Sequence, residues 1–243
     1  MKTKLYTVLA LLLLVFTTSC DFTENITINP DGSGNMTMAM DGSTLMALAG
    51  EEIASETGGK RTDTIMDFSA LLKDKKDSIA KMPEQERRML QALSNMKIKM
   101  LMDPETSEFK FDMISDFKKI DELQDMMKLI NEARNMDKNG LGEAAGMMNN
   151  NSVVKYSYDG KKFIRKVELP ETFQKLPDSL NAYMEMMGAS EYVLKYKFPK
   201  KIKSVSDKKA VIGQDGKSLT LVYSFSDYLS DPKKMGLEVE FVK

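Results

Sequence analysis

Asn25-Ile26-Thr27-Ile28-Asn29-Pro30-Asp31-Gly32-Ser33-Gly34-Asn35-Met36-Thr37-Met38-Ala39-Met40 places apolar side chains at every second position on both sides of a Pro-Asp-Gly-Ser-Gly cluster. A period of two is the signature of a half-buried strand, and such a cluster between two strands marks a hairpin turn. The same pattern recurs outward along the chain. Met96–Met102 and Glu108–Met113 flank Asp103-Pro104-Glu105-Thr106, Ser152–Tyr158 and Lys161–Leu169 flank Asp159-Gly160, and Ala210–Gly213 and Ser218–Phe225 flank Asp215-Gly216. Gly236–Val242 reads as a closing strand.

Helical signals lie between the hairpins. Met66–Ser94 carries apolar residues at helical spacing and is divided by Pro83. Asp121–Met136 sets Leu123, Met126, Met127, Ile130 and Ala133 on one face, and Pro170–Met187 begins on proline and stops before Gly188. Leu45, Phe117, Phe173 and Leu229 each lie fourteen residues beyond a turn aspartate, preceded by Ser43, Ser115, Glu171 and Asp227 as helix-start candidates. Either a repeated β-β-α unit or coincidence among common turn residues accounts for that spacing. The expected fold class is α+β: an antiparallel sheet of about eight strands with helices packed on one face, polar outside and lined by Met, Phe, Ile and Leu inside. Asn139–Asn151, rich in Gly, Asn and Ala, is the expected linker between halves 20–138 and 152–243 of a single domain spanning 20–243.

Residues 1–19 read as a signal peptide. Lys2 and Lys4 precede an apolar run from Leu5 to Phe16, then Thr17-Thr18-Ser19 lead to Cys20. Twelve helical residues reach only ~18 Å, short of the ~30 Å hydrocarbon core, so the run is expected to be cleaved rather than to span a membrane. Cys20 is the one cysteine of the chain, so no disulfide framework exists within it. Its place at the end of the run is that of a lipidated cysteine, although Thr17 stands where leucine is common. Two or three acyl chains there would anchor the domain stably, at ~0.8 kcal/mol per buried methylene.

Loss of the signal removes two of the 35 basic residues and none of the 36 acidic ones, so the net charge moves from −1 to −3. That near-neutral balance argues against a nucleic-acid partner. The 243 residues include 21 methionines but no histidine and no tryptophan. Without histidine there is no Ser-His-Asp or Cys-His catalysis and no ordinary zinc site, so neither metal nor cofactor is expected.

Cys20-Asp21-Phe22-Thr23-Glu24-Asn25-Ile26-Thr27-Ile28-Asn29-Pro30-Asp31-Gly32-Ser33-Gly34 resembles the start of many Bacteroidota lipoproteins, in which a strand and an Asp-Gly turn follow the lipidated cysteine at once. The opening is more loosely similar to that of LppM-like lipoproteins. So is the segment from Tyr192 through Phe198-Pro199-Lys200-Lys201-Ile202, followed by a strand pair around Asp215-Gly216. These likenesses cover the two ends of the chain. They imply an envelope lipoprotein, with the outer membrane favoured, and LppM-like folds imply a lipid or glycolipid held under a curved sheet. No specific motif matches, so no binding residue is carried over.

Several clusters invite chemistry. Met36/Met38/Met40, Met96/Met100/Met102, Met126/Met127, Met147/Met148 and Met184/Met186/Met187 read first as core in place of leucine, then as a pliable apolar pocket, and last as Cu(I) ligands. The candidate lining of such a pocket is Met126, Met127, Ile130, Met184 and Met187. Ser-x-x-Lys pairs such as Ser78/Lys81 lack the companion motifs of a serine acyl enzyme. The acid pairs Glu51/Glu52, Asp121/Glu122 and Glu238/Glu240 read as solvated faces. The run Lys195, Lys197, Lys200, Lys201 and Lys203 reads as a solvated strand face before a basic stripe for headgroups. Asp63-Thr64-Ile65, Asp77-Ser78-Ile79 and Asp178-Ser179-Leu180 fit a short O-glycosylation pattern. The expectation is a non-enzymatic binding or scaffolding module whose partners are the membrane, through Cys20, and a lipid or an envelope protein. A lipid or glycolipid carrier is the alternative, and a hydrolase or acyl-transfer enzyme the second alternative.

Overall fold

All four sequence hairpins form, and the turn aspartates explain how. The computed structural model describes residues 21–44, 46–47, 60–73, 75–84, 87, 90, 94–123, 152–171, 173 and 190–242. Strands β1 (Asp21–Ile28) and β2 (Gly34–Asp41), β4 (Met96–Asp103) and β5 (Glu108–Phe117), β6 (Val153–Tyr158) and β7 (Lys162–Glu168), and β10 (Val211–Ile212) and β11 (Ser218–Ser224) pair antiparallel. In each turn one aspartate Oδ1 accepts backbone N–H groups two or three residues on. Asp31 takes Ser33, Asp103 takes Glu105 and Thr106, Asp159 takes Lys161 and Lys162, and Asp215 takes Lys217 and Ser218. Three turns then place glycine in the left-handed region (Gly32, Gly160 and Gly216), and the β4–β5 turn places Ser107 there.

Two sheets share one core. The larger runs β10-β11-β8-β1-β2-β5-β4-β3, where β3 is Thr62–Asp67 and β8 is Glu191–Lys197; the smaller runs β6-β7-β12-β9, where β9 is Ile202–Val205 and β12 is Leu237–Phe241. Among the described strands only the β1·β8 pair is parallel, with Glu24 opposite Leu194. The larger sheet draws strands from both sides of residue 138. Its inward residues Ile26, Ile28, Met36, Leu194, Leu219 and Leu221 meet Val154, Phe163, Leu237, Val239 and Phe241 of the smaller sheet. Aromatic rings tighten the seam: Phe163 lies 5.3 Å from Tyr196 and 5.2 Å from Phe198, and Phe198 lies 4.9 Å from Phe241.

This corrects the α+β expectation. Among the described residues the sheet has no helical layer on one face: there are twelve strands and three short helices, α1 (Phe68–Lys73), α2 (Lys76–Ala80) and α3 (Phe225–Ser230), with a 3-10 turn at Pro232–Met235. A helix of six residues is ~9 Å long and cannot cover a sheet, so a second sheet does. The expected repeat of β-β-α units fails at its second position: Ser115, a candidate helix start, lies inside β5, which continues to Phe117. The first and fourth positions behave as expected. Ser43, Thr44, Met46 and Ala47 are helical, and Ser224 Oγ accepts the Asp227 N–H at 3.0 Å and caps α3. Met66, the expected start of a long helix, is the exposed penultimate residue of β3. The helix expected over Asp121–Met136 beyond Leu123, that over Pro170–Met187 beyond Phe173, and the Asn139–Asn151 linker lie outside the described residues.

Two glycines separate two constraints. Gly160 has φ +80° with open space where a Cβ would stand, so Gly160→Ala should cost only the left-handed backbone penalty, about 1 kcal/mol. At Gly34 the added carbon would overlap the Thr27 carbonyl oxygen and the Phe117 ring, so Gly34→Ala should cost about 3 kcal/mol or more. Urea midpoints measure both, and equal losses would contradict this account.

Candidate functional site

Alternation along β1 puts Phe22, Glu24, Ile26 and Ile28 on one face, and along β7 puts Phe163, Arg165 and Val167 on one face. Both strands turn that face inward, so each sheet delivers one charge into the shared core. Glu24 is 1% exposed and Arg165 2% exposed. Arg165 grips the carboxylate with two donors, Nη2 to Oε2 at 2.9 Å and Nε to Oε1 at 3.2 Å, and gives Nη1 to the Met235 carbonyl at 2.9 Å. Three tyrosine hydroxyls complete the shell. Tyr156 of β6 donates to Oε1 at 2.8 Å, Tyr196 of β8 also donates to Oε1, and Tyr192 of β8 donates to Oε2 at 3.2 Å.

Burial alone would raise the Glu24 pKa. The Arg165 charge and the hydrogen bonds from Arg165, Tyr196 and Tyr156 outweigh it and hold the carboxyl below its ordinary value. For Tyr156, Tyr192 and Tyr196 burial and the Glu24 charge act together and push each phenol well above its usual range. The group is thus a fixed ion pair with neutral hydroxyl donors, sealed from solvent. It offers neither a proton acceptor near neutral pH nor an opening to a substrate. Its chemistry is structural.

An open feature lies elsewhere. A cleft of about 660 Å³ runs beside α1 and α2, lined by the apolar Leu72, Ile79 and Leu90 and by the polar Lys73, Arg87 and Asn95. Asp67 Oδ1 caps α1 by accepting the Ser69 and Ala70 N–H groups, which fixes this wall on the end of β3. Of these residues only Ile79 belongs to a short sequence pattern, Asp77-Ser78-Ile79, and that pattern does not point to a cleft. Short helices with mixed spacing give no pattern by which a cleft wall differs from an ordinary surface.

The sequence candidates scatter. Met36 and Met96 are buried core, and Met38 packs against it. Met126, Met127, Ile130, Met184 and Met187 lie outside the described residues, as do Cys20, Met147, Met148, Glu51 and Glu52. Glu238 and Glu240 hold separate lysines, Lys162 at 2.6 Å and Lys203 at 3.3 Å, and Glu122 accepts the Lys118 N–H. Lys195 and Lys197 are exposed on one face of β8, and Lys200 reaches the Gly160 carbonyl at 2.9 Å. Thr64 is exposed on β3 and Ser78 on α2, while Asp178-Ser179-Leu180 is outside the described residues. Among the described residues no helix is long and apolar enough to cross a membrane.

No family model matches this chain, and no curated protein matches it. Among solved structures it is similar to the NMR structure of the folded domain of the Mycobacterium tuberculosis LppM protein. The identity is 11%, over 92% of this chain and 91% of that one, with a TM-score of 0.37. A likeness of that degree carries no argument about site or function.

Removing one member of the buried pair strands the other. Glu24→Leu and Arg165→Met should each cost about 3–5 kcal/mol, and the double variant should lose less than the sum of the two. A double-mutant cycle by urea unfolding checks this, and strict additivity would refute the coupling. Because the Glu24 pKa is lowered on folding, its stabilisation is complete above the ordinary value of 4.5 and drains as pH falls below it. The unfolding midpoint of the wild type should therefore drop more steeply below pH 4.5 than that of Glu24→Leu.

Proposed function

We propose that this protein is a lipid-anchored, non-enzymatic binding or scaffolding module of the bacterial cell envelope. The observation that carries the reading is the position of β1. It begins at Asp21, one residue past the cysteine that ends the signal-like segment, so no linker intervenes between the expected anchor and the sheet. Consecutive Cα atoms are 3.8 Å apart, and acylation of Cys20 would hold that end of the sheet at the membrane surface. The outer membrane is the location favoured by the resemblance to Bacteroidota lipoproteins.

The non-enzymatic reading rests on the absence of histidine from the sequence and on the character of the buried polar group, which is sealed and fully paired. A second reading, a lipid carrier, is favoured by one observation, the apolar cleft beside α1 and α2. It differs from the methionine-lined pocket expected around Met126 and Met184.

Metabolic labelling with an alkyne palmitate in a host that processes lipoproteins tests the anchor. The wild type should take up label and sediment with membranes. Cys20→Ser should lose both while keeping the same urea midpoint, since Cys20 precedes the first strand. Unlabelled wild type, or membrane-bound Cys20→Ser, would rule the anchor out.

A further inference from the structure

We infer that the cleft beside α1 and α2 binds a single-chain amphiphile with an anionic head, its chain along Leu72, Ile79 and Leu90 and its carboxylate or phosphate at Lys73 and Arg87. Three observations support the assignment. The volume, about 660 Å³, falls in the range of sites that enclose one small ligand (~300–1,000 Å³). Leu72, Ile79, Ala80 and Leu90 give the lining an aliphatic part, where a hydrocarbon chain gains by leaving water. The lining also carries two cations, Lys73 and Arg87, without an ion-pair partner among the described residues, whereas Lys97, Lys110 and Lys162 on strand surfaces each hold an acid.

Charge complementarity selects the head group. A neutral head would bring no anion to either cation, while a carboxylate or phosphate takes charge-assisted hydrogen bonds from Arg87 and Lys73. Asn95 lines the same cleft and adds a neutral donor. One cleft of this size suits one chain, which favours a fatty acid or a lysophospholipid over a two-chain lipid. Both sources present the same chemistry, an aliphatic tail ending in an oxyanion. The proposal deepens the binding-module reading and rests on it, but it does not require the anchor.

The test is photolabelling of the full-length protein in phosphatidylcholine vesicles. Three diazirine probes share one chain and differ in the head: a palmitate, a lysophosphatidic acid and an uncharged monoacylglycerol. Cross-links are mapped by peptide mass spectrometry, and the mass of the Cys20 peptide is read on the same sample. The expected result is saturable labelling within residues 69–95 by one or both anionic probes, the stronger naming the head group, and about tenfold less by the neutral probe. Lys73→Gln with Arg87→Gln should bring anionic labelling down to the neutral level. Ala80→Phe, which adds bulk to the cleft wall and keeps both cations, should reduce labelling by all three probes. Equal labelling by the neutral probe, labelling outside 69–95, or indifference to both sets of substitutions would overturn the proposal. An unacylated Cys20 with labelling confined to 69–95 would sink the anchor and leave the cleft assignment standing.

Discussion

Glu24 and Arg165 fix how the two sheets face each other. Moving an isolated carboxylate and guanidinium out of water costs several kcal/mol each even after relaxation, and their attraction offsets this only when the geometry is good and the remaining hydrogen-bonding sites are filled. Here five donors converge on one carboxylate and the third arm of the guanidinium finds the Met235 carbonyl. The acceptor lies on β1 and the donors come from β6, β7 and β8, so both sheets contribute. A slip of one residue in β1 would turn Glu24 to the outer face and leave two Arg165 donors and three hydroxyls buried without their acceptor. Aliphatic cores tolerate such shifts, since apolar contacts are not directional. This core does not.

The same constraint fixes the register of the parallel β1·β8 pair. Tyr192 and Tyr196 stand two residues either side of Leu194, which pairs with Glu24, so both hydroxyls reach one carboxylate from the same strand. Tyr156 approaches from the other sheet in register with Arg165. Packing alone does not call for three tyrosines around one point. Their long rings carry a polar tip across the interior while the ring bodies fill it, as the 5.3 Å edge contact between Phe163 and Tyr196 illustrates.

Much of the strand framework was legible in the sequence, because turn chemistry is local. Asp31, Asp103, Asp159 and Asp215 each fold back on their own backbone, and that interaction needs only residues within three positions. Pairing between distant segments is not local, so the split into two sheets and the role of β8 as neighbour of β1 left no trace in spacing. The helical period over Met66–Ser94 holds in α1, in α2 and at residues 84, 87 and 90, and fails at its first two residues, Met66 and Asp67, which end β3. A tertiary strand pairing with β4 overrides that period. The buried pair did leave a readable signal. Glu24 interrupts Phe22, Ile26 and Ile28 at an inward position, and Arg165 interrupts Phe163 and Val167, so two opposite charges stand on otherwise apolar strand faces. The cleft left none, since its wall is assembled from pieces too short for periodicity.

The position of β1 also decides how the domain would bear load under the proposed anchoring. β1 is an interior strand, bonded along its length to β2 on one side and β8 on the other. Tension from an acylated Cys20 would pull it along its own axis, so that both ladders are strained in shear and many bonds must give together; an edge strand peeled from its end would release them one at a time. Glu24 lies only four residues from Cys20, inside the first stretch to be loaded. Its buried pairing with Arg165 adds a tie from that stretch to the second sheet, so extraction of β1 would expose an uncompensated guanidinium before half the strand had moved. The interaction that sets the register of the core thus also sits where a tethered domain is pulled first.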